Sequence, residues 1–139
     1  MATRSTIAVQ HKDNTISVIY CHWDGYISHN GKLLVDYYPT LELAEELVSF
    51  GDMSVLGKKI HPTAEHTFDN PEENVTVYYG RDRGETDVDP LYCKDIKEYK
   101  AMKCFEEYNY IFRKNDWYLY SNGRYNLVRL LKEYKKSHS

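Results

Sequence analysis

Two runs near the start of the chain constrain its fold more than any other feature. Ser5 to Gln10 (STIAVQ) alternates loosely, and Thr15 to Trp23 (TISVIYCHW) is rich in β-branched and aromatic residues. Between them stands the polar break His11-Lys12-Asp13-Asn14. Strand-forming runs on either side of a turn predict a β-hairpin over residues 4–23. Alternation along the second strand then sets Tyr20, His22 and Asp24 on one face, and Cys21 and Trp23 on the other.

The rest of the chain alternates in character. DGYISHNG, residues 24–31, reads as a loop with two glycines, and residues 32–38 as a short helix. Pro39 breaks the chain, and Thr40 followed by Glu42 marks a capped helix start. Leu41, Ala44, Leu47, Val48 and Phe50 then recur at helical spacing until Gly51 ends the run. Residues 52–74 read as a long surface loop, and residues 75–79 as a third strand. Ile96, Tyr99, Met102 and Cys104 give residues 94–105 a helical period. Two aromatic strands around Lys114-Asn115-Asp116 form a second hairpin. Leu127, Leu130, Leu131 and Tyr134 place a closing amphipathic helix over residues 125–135. Mixed hairpins and helices without a βαβ rhythm predict an α+β fold, an antiparallel sheet with helices packed on it, as one domain over residues 1–139.

Bulk properties exclude several classes. A length of 139 residues can bury a core without metals or disulfides. The net charge of −3 argues against a non-specific binder of nucleic-acid polymer. No apolar stretch has the length of a signal peptide core or a membrane span, so a cytoplasmic protein is expected. Cys21, Cys93 and Cys104 lack CxxC spacing and read as reduced thiols. Fourteen tyrosines are the one compositional excess; they suit strands as well as interfaces and ligand pockets.

Three stretches carry more polar specificity than a fold requires: TRST (residues 3–6), YCHWDGY (20–26) and YGRDRGE (79–85). In the last, Arg81 and Arg83 bring planar forks that match phosphate or carboxylate, with Asp82 between them, a glycine on either side and Glu85 just after. The same residues read equally as a self-neutralising surface loop. Catalysis finds less support. Cys21 and His22 are strand neighbours that point to opposite faces, which fails the geometry of a thiol–imidazole nucleophile. His61, His66 and Asp69 are a weak metal-ligand set, and no phosphate-binding glycine loop is present. No cofactor is expected.

ATRSTIAV, YCHWDGY followed by GKLL, VTVYYGRDRGE, EYNYIF and WYLY together resemble a family of small bacteriophage and prophage proteins. The resemblance covers nearly the whole chain, with Ile27 standing where relatives carry proline after the WDGY motif. It implies a phage accessory protein in the host cytoplasm and supplies no reaction. Two tasks suit that context: sequestering or destroying a nucleotide second messenger of bacterial immunity, or binding a host protein. The expected site joins Arg4, His22, Trp23, Asp24, Tyr26, Arg81, Asp82, Arg83 and Glu85 in one pocket. Arg4, Arg81 and Arg83 hold phosphate, Trp23 and Tyr26 stack on a base, and Asp24 and Glu85 read hydroxyls or amines, with His22 at the rim. The expected ligand is a cyclic ADP-ribose-type molecule or cyclic dinucleotide, held by a homo-oligomer. Cleavage of that ligand, with His22, Asp24 or Glu85 as acid or base, is the alternative, and inhibition of a host protein is a third.

Overall fold

The structure, a computed structural model, describes residues 3–102, 106, 108–120 and 128–129. Strands β1 (Ser5–Gln10) and β2 (Ile16–Cys21) form the expected hairpin, paired from Ser5 with Cys21 to Gln10 with Ile16. A wide helical turn, Ile27–Gly31, runs directly into α1 (Lys32–Tyr37). Helix α2 (Leu41–Ser49) is capped as expected: Thr40 accepts a hydrogen bond from the Leu43 N–H. Then come β3 (Met53–Val55), β4 (Val77–Tyr78), the one-turn helix α3 (Tyr79–Arg83), β5 (Leu91–Cys93) and α4 (Ile96–Lys100). The aromatic hairpin β6 (Tyr108–Arg113) and β7 (Asp116–Leu119) turns through Lys114 and Asn115, both at positive φ. A last pair, β8 (Val128–Arg129), adds to β7.

These elements make the α+β architecture predicted. The eight described strands lie in one sheet of order β4-β3-β2-β1-β6-β7-β8, with β5 on the part of the β2 edge that β3 leaves open. The sheet is mixed and not antiparallel as expected, since β1 pairs with β6 and β2 with β3 in parallel. Long connections carry the chain across the sheet between those partners, which a hairpin turn cannot do.

Both faces of the central strands are covered. Ile7, Val9, Ile19, Cys21, Tyr110, Phe112 and Trp117 pack under α1 and α2. On the other face Ala8, Ile16, Val18, Ile111 and Tyr120 pack with Cys93 and Tyr99, the latter from α4. Burial on two sides accounts for the near-continuous apolar character of β1 and β2. Much of the tyrosine surplus lies in this core. The Tyr38 hydroxyl donates to the Gly57 carbonyl at 2.7 Å, that of Tyr78 to Leu47 at 2.6 Å and that of Tyr110 to Gly25 at 2.6 Å. Trp117 Nε1 donates to the Tyr38 carbonyl at 2.7 Å. Burial pushes the Tyr38 phenol up to about 12 and those of Tyr78 and Tyr110 well above the usual tyrosine range.

Several expectations need correction. The span 52–74 is not all surface loop: β3 lies within it, and Leu56 and Ile60 are in the core. Residues 24–31 are not wholly loop, because Ile27–Gly31 is helical. The third strand is shorter than 75–79, and Tyr79 already begins α3. β5 was without a sequence signal, since Pro90 precedes it and only Cys93 of its three residues is buried. The helix expected over 94–105 ends at Lys100, and residues 103–105, Cys104 among them, lie outside the described set. Val128 and Arg129, expected to be helical, instead pair with β7, whose outer edge would otherwise leave ladder groups open. The remainder of 125–135 lies outside the described residues.

Replacing Tyr110 by Phe leaves the Gly25 carbonyl buried without its donor and is expected to cost about 1–3 kcal/mol in urea unfolding. Tyr92→Phe, at a side chain 72% exposed, should leave the midpoint unchanged. Equal midpoints for Tyr110→Phe and the parent chain would refute this role of the phenol.

Candidate functional site

The first two polar motifs meet at a corner. After Cys21 the chain continues beside β3, with the His22 N–H on the Met53 carbonyl (3.2 Å) and the Trp23 N–H on Ser54 (2.9 Å). Asp24 turns it at a φ of +56°. Gly25 then lies flat against the start of β1, its N–H donating to the Thr3 carbonyl at 2.8 Å. A Cβ there would stand 2.8 Å from both Ser5 Cβ and the Thr3 carbonyl oxygen, so only glycine fits without a shift. Buried Asn30 completes the joint. Its Nδ2 donates to Ser5 Oγ (3.2 Å) and Cys21 Sγ (3.4 Å), and its Oδ1 meets His29 Nδ1 at 2.9 Å. The Cys21 thiol donates to the Trp23 carbonyl, and full burial pushes it up to about 11. It is a packed thiol and no nucleophile.

What faces outward differs from the expectation in one respect. Tyr20 and His22 do share a side, with the phenol 2.6 Å from His22 Nδ1. Trp23 does not back them from the core; it is 44% exposed and packs edge-on against His22 at 4.8 Å. Strand alternation stops at Cys21, so it could not govern Trp23.

YGRDRGE is a helical turn, closed by Gly84 in the left-handed region at φ +78°. Arg81 is turned into the protein. Its Nε and Nη2 bind the Asp82 carboxylate at 2.9 and 3.1 Å, Nη1 donates to Ile60 O at 2.6 Å, and Nη2 also donates to Thr76 O at 2.9 Å. The guanidinium lies 4.8 Å from the Tyr78 ring centre. Asp82 also accepts from the Tyr78 N–H at 2.8 Å. His66 Nε2 lies 3.2 Å from the same carboxylate, and His66 Nδ1 accepts from the Glu72 N–H. Burial works to raise Asp82, but the Arg81 pairing and the Tyr78 N–H outweigh it and hold the carboxyl below its ordinary value. Arg81 and Asp82 are therefore removed from the expected ligand grip: their bonding capacity is spent on fastening the 60–76 connection. Arg83 faces outward instead, half-exposed, paired with Glu85 at 3.3 Å and lying 4.9 Å from the Phe68 ring centre.

The second and third motifs do meet, through residues outside the expected set. Asp52 joins them: its carboxylate accepts from the Tyr20 N–H at 2.9 Å and its carbonyl from the Tyr79 N–H at 3.2 Å. The Tyr20 phenol is raised chiefly by burial, is lowered by the charge of Arg4, and is raised again by Glu106 and Tyr79. Tyr79 in turn packs against Phe68 at 5.7 Å. The outcome is two runs of contacts, Trp23–His22–Tyr20 and Tyr79–Phe68–Arg83, joined at Asp52 and together called the ridge; the charge of Arg4 acts on Tyr20. Beside Tyr20 lies a hollow of about 240 Å³ walled by Asp52, Asp87, Asp89 and Glu106. Burial, with Asp89 nearby, raises the Asp52 carboxyl against the lowering effect of the Tyr20 N–H. Tyr26 is 39% exposed and packs edge-on to His29 at 6.1 Å, away from these contacts. Asp24 serves the corner through its turn and its carbonyl, which accepts from the Asn30 N–H. The nine expected residues therefore do not form one enclosed pocket. Among the described residues no His, Cys, Asp and Glu group could hold a metal ion, and no helix is long and apolar enough to cross a membrane.

Phe68 and Tyr79 were legible only as aromatics flanking the expected loop and the third strand. Asp52 carried no signal, because its role is one of junction. Comparison with family models, with curated proteins and with solved structures finds no match.

Removing Arg81 strands Asp82 in the interior, so Arg81→Ala should lose about 3–5 kcal/mol in urea unfolding, whereas Arg83→Ala should lose at most about 0.5. The Asp82 contribution is present above the ordinary carboxylate pKa and disappears as pH falls through the lower folded value. The stability gap between the parent and Asp82→Asn should thus be full at pH 7 and close in acid. A gap that is constant with pH, or equal losses for the two arginine variants, would contradict the assignment.

Proposed function

We propose that the protein captures a nucleotide-derived small molecule on the Trp23–Arg83 ridge and holds it without chemical change. The observation that carries this reading is the Tyr20–Tyr79 junction. It brings together the exposed Trp23, the partly buried rings of Tyr79 and Phe68, the Arg83 guanidinium with its Glu85 partner, the charge of Arg4 and a carboxylate-walled hollow. Each part answers to a part of a nucleotide. Trp23, Tyr79 and Phe68 offer faces and edges for a base. Arg4 and Arg83 supply charge-assisted hydrogen bonds for phosphate. Asp52, Asp89 and Glu106 accept from ribose hydroxyls or a base amine, and would repel a phosphate placed in the hollow.

With the resemblance to small phage proteins, the ligand becomes an immune second messenger of the cyclic ADP-ribose or cyclic dinucleotide type, and the task becomes counter-defence in the infected cell. A second copy of the chain would close the open ridge over its ligand. One observation favours cleavage instead: the 2.6 Å Tyr20–His22 contact is an accessible acid–base pair.

The experiment is to incubate the protein with cyclic dinucleotides and cyclic ADP-ribose isomers, denature it by heat, and recover the small molecule. Intact ligand is the expected product, and an altered one makes the protein an enzyme. Arg83→Ala and Trp23→Ala should each weaken binding at least tenfold, about 1.4 kcal/mol. Retention of a host protein with no affinity for any nucleotide, or binding indifferent to both substitutions, would sink the proposal.

A further inference from the structure

A second concavity lies elsewhere among the described residues, between α1 and the β3–β4 end of the sheet, and shares no residue with the ridge. It is a groove of about 480 Å³, enough for a nucleoside monophosphate. Its floor is aliphatic: Leu33, Val55, Leu56, Val75 and Val77. Lys32 and Lys58 stand at its rim with His29, and Tyr37 forms part of a wall.

Three features give this groove a chemical preference. The first is charge. Neither Lys32 nor Lys58 is in an ion pair with any described residue, and the Lys58 ammonium lies 5.8 Å from the centre of the Tyr37 ring. Of the two lining carboxylates, Glu72 is already committed. It accepts from Lys59 Nζ at 2.8 Å, from the Thr63 and Ala64 N–H groups at 2.8 and 2.6 Å, and from Thr63 Oγ1 at 3.0 Å. That pairing, Lys59 first, holds its carboxyl down at about 2. Glu73 alone among the lining carboxylates remains to oppose two ammonium groups.

The second is the state of His29. Asn30 Nδ2 is fixed by Ser5 Oγ and Cys21 Sγ, so Asn30 Oδ1 is the atom that faces His29 Nδ1. An amide oxygen only accepts, so Nδ1 carries the proton and, in the neutral ring, Nε2 is left as an acceptor. The buried corner thereby sets the tautomer of a rim residue. The third is the floor, whose branched aliphatic surface suits a flat apolar ring and makes no hydrogen bonds.

We propose that this groove is a second binding site, for an organic phosphate with a flat apolar body and a hydroxyl or N–H donor, the chemistry of a nucleoside monophosphate. The phosphate meets Lys32 and Lys58, the ring lies on Val55, Val75 and Val77, and the donor reaches His29 Nε2. The site stands independently of the ridge and of its proposed ligand.

The test titrates the protein with AMP, phenyl phosphate, phenylacetate and inorganic phosphate by calorimetry. Saturable binding of AMP and phenyl phosphate is expected, at least tenfold tighter than inorganic phosphate or phenylacetate. Lys32→Glu and Lys58→Glu, both at exposed positions, should each weaken it at least tenfold, and Arg83→Ala should leave it unchanged. Absence of saturable AMP binding overturns the site, as does indifference to both lysine variants. Loss in Arg83→Ala moves the binding to the ridge and also overturns it. Phenylacetate bound as tightly as phenyl phosphate overturns the preference for phosphate.

Discussion

A buried hydroxyl must keep a hydrogen-bond partner, and that requirement organises this protein. The sheet and the two helices above it could pack with purely aliphatic contacts. Instead Tyr38, Tyr78, Tyr110 and Trp117 fill the core with large rings whose polar ends reach the carbonyls of Gly57, Leu47, Gly25 and Tyr38. Two of those carbonyls, at Gly25 and Gly57, belong to irregular connections. A carbonyl in such a place has no ladder partner, and the core ring supplies one from beneath. The aromatic rings thus do two jobs at once: they contribute apolar area, and they set the height at which each connection crosses the sheet.

The same rule explains the fate of the polar motifs. A guanidinium taken out of water must be paired on several sides, and Arg81 is, by Asp82 and by two carbonyls from the 60–76 span. Once so bound it has little left for a ligand. Arg83, two residues on, lies on the outer side of the same helical turn and keeps its charge in solvent beside Phe68. Asn30 shows the inverse economy. By holding Ser5 and Cys21 it closes the corner between β1 and the 22–31 segment, and its remaining oxygen orders His29 outside. Structure and potential function are therefore coupled through a few buried polar side chains, so a substitution at such a residue changes both.

The parts of the fold that could be read in sequence were those governed by local repetition. The first hairpin, the capped α2 and the aromatic hairpin each rest on a turn, a cap or a period contained within twenty or so residues. β3 and β5 are three residues each, and their strand state depends on lying beside β2; no local pattern announces that. α3 escaped for a related reason. Asp82, inside the turn, accepts from the Tyr78 N–H at its start, and the two glycines disguise that turn as a loop. Of the expected site residues, Arg4, His22, Trp23, Arg83 and Glu85 were chosen by residue type, and all are at least partly exposed. Arg81 and Asp82 were chosen on the same chemistry and proved internal, because residue type says nothing of which way a helical turn faces.

Sequence alone determined that this chain forms an α+β fold built on an N-terminal hairpin, and that its unusual side chains concentrate in TRST, YCHWDGY and YGRDRGE. Pattern suffices there because strands, caps and turns are short-range phenomena. Tertiary structure decided where those side chains lie and what they pair with. It turned Gly25 and Arg81 into packing and pairing elements, left Trp23 and Arg83 outside, and joined Tyr20 to Tyr79 through Asp52. It also opened the Lys32–Lys58 groove between segments far apart in sequence. Those outcomes depend on which groups meet across the sheet, and burial and hydrogen bonding settle that only when the whole chain has packed.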